Sequence, residues 1–201
     1  IEENDPKLLA TLGFWDEEVY KDLAALEKHQ MTNHDFEKKY SGNAAILCLD
    51  MTGFANASLK GPMVHSFIRI HKMHRICYPI FKSYHALRVR AFADNFTAIF
   101  SKPLDSLECA LAVHRAMDAD KKNKDMGKCC IGLGYGQIHH VGLDKAMGSE
   151  MNQASKLGED TAQGGETLVT DAFYKALQHN NDFVFKQGKH DEAPFPFYFV
   201  Q

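Results

Sequence analysis

An unbroken apolar run from Ala45 to Leu49, bounded by Gly42-Asn43 and by Thr52-Gly53, predicts a short strand buried on both faces and ending on Asp50. Between Leu59 and Tyr84, Met63, Phe67, Ile70, His74, Cys77 and Ile80 recur at steps of three and four and predict a long helix. From Val89 to Phe100 two apolar runs flank Asp94-Asn95, residue types that tolerate the backbone of a two-residue hairpin turn, so Asp94 is expected at a hairpin tip. Pro103 suits the first turn of the next helix, expected to reach about Asn123 with Leu107, Ala110, Leu111, His114 and Met117 on one face.

Cys129 to Val141 alternates Cys129, Ile131, Leu133 and Tyr135 with Cys130, Gly132, Gly134 and Gly136, a strand with one nearly bare face. Such a face admits a ligand or a closely packed helix, and both readings stay open. Gly148 opens a helix that Leu157-Gly158 closes, Glu166 to Thr170 reads as a strand, Asp171 to Gln178 as a helix and Phe183 to Val200 as a hairpin. Residues 1–40 are polar, with one amphipathic segment from Trp15 to His29 presenting Trp15, Val19, Leu23 and Leu26. They read as a packing, linker or signalling segment ahead of a domain at 43–201. The order β α β β α β predicts an α+β fold with a ferredoxin-like core and additional C-terminal strands and helix.

Composition narrows the function without naming it. The 201 residues are 45% hydrophobic, which suits one domain with an adequate core. A net charge of −3, with Lys and Arg scattered, argues against a nucleic-acid surface. The five cysteines are an odd set without Cys-x-x-Cys spacing and point to a reducing, cytoplasmic setting. No run approaches the ~18 apolar residues of a spanning helix. The chain opens on Ile1 rather than Met, and reads as the intracellular part of a longer protein with a regulatory domain outside it.

Chemistry concentrates around two carboxylates. If the Asp94 hairpin lies beside the first strand, Asp50 and Asp94 converge on one sheet edge, where two carboxylates hold one or two hard divalent cations. The turn at Thr52-Gly53 leaves the amides from Met51 to Phe54 to face an anion. His71 and His74 share a helix side but have no third ligand nearby in sequence, and a zinc reading is set aside.

The stretches Ile46 to Phe54, Ala93-Asp94, Ile131 to Gln137, Gly148-x-x-x-Asn152-x-Ala-Ser-Lys156 and Lys186-x-Gly-Lys189, in this order, resemble the class III nucleotidyl cyclase catalytic domain over about residues 43–201. The resemblance implies a head-to-tail homodimer with shared active sites. Asp50, Asp94 and the Met51 carbonyl of one chain would bind two Mg²⁺ or Mn²⁺ ions, and the amides of Thr52, Gly53 and Phe54 would cradle phosphates. The partner would supply Asn152 for the ribose, Lys156 where the family usually has a transition-state Arg, and Lys189 for the terminal phosphates.

Base recognition would fall to Arg90, where adenylyl cyclases carry a Lys, and to Lys145 or its neighbour Asp144. A guanine-reading Glu is absent at Arg90, so the expected substrate is ATP and the expected product cyclic AMP. The usual Gly before the second metal Asp is Ala93. The altered positions 90, 145 and 156 also fit an alternative, a non-catalytic cyclase-homology module that binds nucleotide or dimerises.

Overall fold

A computed structural model describes residues 2–13, 15–53, 61–119, 127–142, 145–189 and 191–201. Strand β1 (Ser41–Met51) is its central element and is longer than its apolar run, because Ser41 to Asn43 continue the ladder with the neighbouring strand. Ala45, Leu47, Leu49 and Met51 enter one buried cluster, while Ala44, Ile46 and Cys48 enter a second on the opposite face. The strand is thus apolar throughout because both its faces are covered. Complete burial of a residue such as Leu47 contributes roughly 1.5–3 kcal/mol.

The chain continues through α4 (Met63–Ser83), β2 (Arg88–Phe92), β3 (Asn95–Phe100), α5 (Pro103–Ala119) and β4 (Cys129–Gly142). The expected continuation of α5 to Asn123 lies outside the described residues. β1 is antiparallel to both β3 and β4, and β2 is antiparallel to β3, giving the order β2-β3-β1-β4. This is the ferredoxin-like core expected from the element order. Helices α4 and α5 cover one face of it, with Met73, Cys77, Phe81, Leu107, Ala110 and Val113 in the larger cluster.

The additions extend the same sheet. After β5 (Lys145–Met147), which folds back on β4, come α6 (Ser149–Lys156), a π-helical turn at Leu157–Thr161, β6 (Thr167–Thr170), α7 (Asp171–Leu177), β7 (Phe185–Gln187) and β8 (Phe197–Val200). β6 runs parallel to β4, and β8 and β7 complete the order β4-β6-β8-β7.

The segment before β1 is three helices rather than one: α1 (Pro6–Ala10), α2 (Glu17–Glu27) and α3 (Asn33–Tyr40). Trp15, Val19, Leu23, Phe36 and Tyr40 close over Val141 near the end of β4. Lys39 reaches Glu18 at 2.7 Å and Asp22 at 2.6 Å, tying α3 to α2. Among the described residues no helix is long and apolar enough to cross a membrane.

Candidate active site

Because side chains alternate along a strand, Asp50 emerges on the same face as Ile46 and Cys48, opposite α4 and α5. The β1–β3 register ends at Leu49 opposite Phe96, and one further step sets Asp50 opposite Asn95, the residue after Asp94. The two carboxylates therefore meet at one end of the sheet, as the sequence pattern predicts. Burial, then the charges of Asp94 and Glu159, push the Asp50 carboxyl up to about 6, against the pull of the Met51 N–H. Asp94 is also raised, chiefly by burial, and is opposed by its own N–H and by the Arg69 guanidinium.

The hairpin differs from expectation by one residue. Phe92 pairs with Asn95, so the two turn positions are Ala93-Asp94 rather than Asp94-Asn95. Ala93 takes a φ of +51°, the left-handed region where a glycine would carry no Cβ penalty. Shifting the turn back places Asp94 in the loop and leaves Asn95 to begin β3.

Glu159 joins this cluster although no local sequence pattern marks it. It sits on the π-turn, where Ala162 N–H donates to the Leu157 carbonyl at 2.8 Å, a five-residue step. With Arg90, Phe92, Asn95 and Thr97 it lines a cavity of about 340 Å³ beside the carboxylate pair. Asn95 Oδ1 is buried there without a hydrogen-bond partner among the described residues. No periodicity in Leu157 to Thr161 marks a π-turn, which exists because α6 must pass over β4.

The bare face of β4 explains that passage. A Cβ added at Gly132 would collide with the Ala154 carbonyl, and one at Gly134 would lie 2.7 Å from the Glu150 carbonyl. At Gly158 it would lie 2.6 Å from the Cys48 carbonyl. Of the two readings left open, the glycines serve close helix packing. Glu150 accepts from the Tyr135 amide at 3.2 Å and from Thr170 Oγ at 2.7 Å, pinning α6 where β6 ends.

The turn after β1 corrects one expectation. Thr52 N–H donates to the Lys128 carbonyl at 2.8 Å, and Thr52 Oγ is bonded to the same residue, so this amide does not face an anion. Gly53 has the expected left-handed backbone, φ +69°. Phe54 and Asp144 lie outside the described residues.

Lys189 and Lys145 stand apart from Asp50 within one chain. Asn152 is exposed on α6, and Lys156, four residues on, is 3.2 Å from Asp160. Lys189 is exposed just beyond β7, four strand positions from β1, about 19 Å across a sheet. Lys145 opens β5, opposite Gly142, whose carbonyl accepts from Arg88 Nη1 at 2.6 Å. Arg88 to Asp94 is about 20 Å of strand, so this arm and the carboxylates occupy opposite ends of β2. Arg90 lies between them, in the Glu159 cavity.

Among the described residues no three His, Cys, Asp or Glu side chains gather as a metal site, which includes His71 and His74. The carboxylate pair offers only oxygen donors, the kind suited to hard divalent cations that retain water or phosphate ligands.

No protein-family model matches the chain, and no curated protein matches it. Solved structures do. The guanylate cyclase domain of RhGC from Catenaria anguillulae in complex with GTP aligns at a TM-score of 0.66 and 16% identity, over 79% of this chain and 96% of that one. The adenylyl cyclase CyaB from P. aeruginosa aligns at 0.65 and 13% identity, over 80% and 95%. An adenylate/guanylate cyclase/hydrolase from Silicibacter pomeroyi aligns at 0.66 and 21% identity, over 80% and 95%. The α+β architecture built around Asp50 and Asp94 is the fold of nucleotidyl cyclase catalytic domains.

Proposed function

We propose that the protein is a nucleotidyl cyclase that converts ATP to 3′,5′-cyclic AMP and pyrophosphate in a head-to-tail homodimer. The observation that carries this reading is the meeting of Asp50 and Asp94 at one end of the β1–β3 ladder, on the face that Glu159 and Arg90 share. Bound there, Mg²⁺ or Mn²⁺ would acidify the ribose 3′-hydroxyl and neutralise the departing pyrophosphate. Asp50, Asp94 and the Met51 carbonyl are the oxygen donors for that pair of ions. Substrate phosphates complete what two carboxylates leave open.

The remaining steps are positioning. The O3′–Pα bond forms as the bond from Pα to the bridging oxygen breaks, and charge grows on the phosphoryl oxygens. In this reading Lys156 compensates that charge, Asn152 holds the ribose, and Lys189 and the Gly53 turn hold the outer phosphates. Lys189 lies four strand positions from its own chain's Asp50, and in this reading a second chain, reversed end for end, delivers it together with Asn152 and Lys156. Arg90 donates to adenine N1, and Lys145 or Asp144 is the second base contact this reading assigns; no acid on β2 answers guanine. Residues 43–201 form the catalytic domain in this reading. Residues 1–40 serve as its N-terminal linker. The cytoplasm is the compartment that suits five free, buried cysteines.

A second reading, a non-catalytic nucleotide-binding or dimerising module, is favoured by one contact. The Lys156 ammonium, which lacks the fork of an arginine, already has Asp160 as a partner. That exposed pair is worth about 0–1 kcal/mol and would yield to a substrate phosphate. Incubation with ATP or GTP and Mn²⁺, followed by chromatography for 3′,5′-cyclic product, separates the readings. Cyclic AMP is the expected product; retained nucleotide with no cyclic product from either substrate leaves the second reading standing.

A further inference from the structure

The chain between Asp50 and Asp94 contains seven Lys and Arg residues and no Asp or Glu, in a protein whose net charge is −3. Within this anion-free stretch, α4 and β2 flank a cavity of about 520 Å³ on the sheet face opposite the carboxylate pair. Val89 and Ala91 of β2, Phe96 of β3 and Pro79 of α4 form apolar walls, with His74, Arg75 and Tyr78 at the helix side. β2 is the first strand of the sheet and, among the described residues, β3 is the strand it pairs with, so its outer row of peptide groups meets no described strand.

Three features indicate what would fill this groove. Arg75, Tyr78 and Lys82 are exposed at helical steps of three and four, so the wall facing the edge strand is cationic and aromatic. His74 Nε2 is buried and has no hydrogen-bond partner among the described residues, its ring resting edge-on against Phe96 at 5.1 Å between centroids. Pro79 lacks the N–H that would bond the Arg75 carbonyl one turn earlier, leaving an acceptor in the helix wall. An edge strand, a helix beside it and an apolar cavity between them are the elements of strand addition, in which an extended peptide pairs with the edge and seats alternate side chains in the groove.

We propose that the α4–β2 groove binds an extended acidic peptide of a partner protein, which adds a strand to β2 and seats a bulky apolar side chain against Val89, Ala91 and Phe96. Carboxylates flanking that side chain meet Arg75 and Lys82. The site is separate from the cyclase reading, since it lies on the other face of the sheet.

The probe is a fluorescein-labelled seven-residue peptide with a central phenylalanine flanked by two carboxylates on each side, titrated by anisotropy into the intact chain. Saturable binding is expected, weakened about tenfold by Arg75→Glu. Tyr78→Ala should also weaken it, and both positions are exposed, so circular dichroism should stay unchanged. Methylating alternate amide nitrogens of the peptide leaves the protein untouched and should abolish binding by removing the strand donors. No binding at 1 mM peptide, equal binding of the N-methylated peptide, or an unchanged affinity in Arg75→Glu would overturn the proposal. So would equal competition by single-stranded DNA at matched charge, which would reduce the groove to a general polyanion surface.

Discussion

Asp50 and Asp94 come together one step past the Leu49–Phe96 pair, where β1 ends and the β2–β3 hairpin turns. Both carboxyls are raised by burial, and the Asp94 charge adds to the rise at Asp50. Neither is needed for packing. Asp50→Asn and Asp94→Asn are each expected to lower cyclic-product formation by more than about a hundredfold. Their thermal midpoints should stay at or above that of the parent chain, because each change removes a desolvated charge. The product assay and a melting curve on the same samples check both halves.

Shared sites predict complementation. Mixing an Asp50→Asn chain with an Asn152→Ala chain should restore up to about a quarter of parent activity, since in random dimers half the molecules hold one intact site. Product formation in the mixture, set against each variant alone, is the measurement. Heterodimers without any recovered activity would contradict a head-to-tail arrangement.

Ala93 holds a left-handed conformation at the tip of the hairpin. Ala93→Gly relieves the Cβ penalty and should stabilise the protein by roughly 0.5–1 kcal/mol, a rise of about 1–4 °C in thermal midpoint. Calorimetry decides it. A lower midpoint would mean that the entropy glycine adds to the unfolded chain outweighs the strain.

His114 is packed between Thr167 Oγ at 3.0 Å and Cys129 Sγ at 3.5 Å. Burial lowers its pKa below the ordinary imidazole value, with Asp118 and the Glu166 backbone opposing. A depressed histidine contributes stability above its unfolded pKa and loses it as pH falls through the folded value. The urea midpoint should therefore drop between about pH 7 and pH 5, and His114→Gln should flatten that drop. An identical slope in the variant would assign the acid sensitivity to other groups.

What the sequence disclosed followed from how directly each feature is encoded. Ala45 to Leu49 announced a doubly buried strand because every side chain was apolar, and Asp50 marked where burial ended. The Asp94 turn was misplaced by one residue because Ala93 occupies a position that composition assigns to Gly, Asn or Asp. Glu159 escaped notice because its place depends on a π-turn, which arises from the passage of α6 over Gly132 and Gly158 rather than from any local pattern. The Thr52 amide looks free in sequence since nothing near it shows that Lys128 returns beside it. β5 and the separation of α1, α2 and α3 were also missed, being short elements set by docking on β4.

The most direct test of the central claim is a Mn²⁺ titration followed by electron paramagnetic resonance, in the presence of a non-cyclisable ATP analogue. The parent chain should immobilise Mn²⁺, and the Asp50→Asn/Asp94→Asn double variant should leave it free while keeping its fold. Mn²⁺ bound as tightly by the double variant as by the parent would contradict a metal site at these two carboxylates.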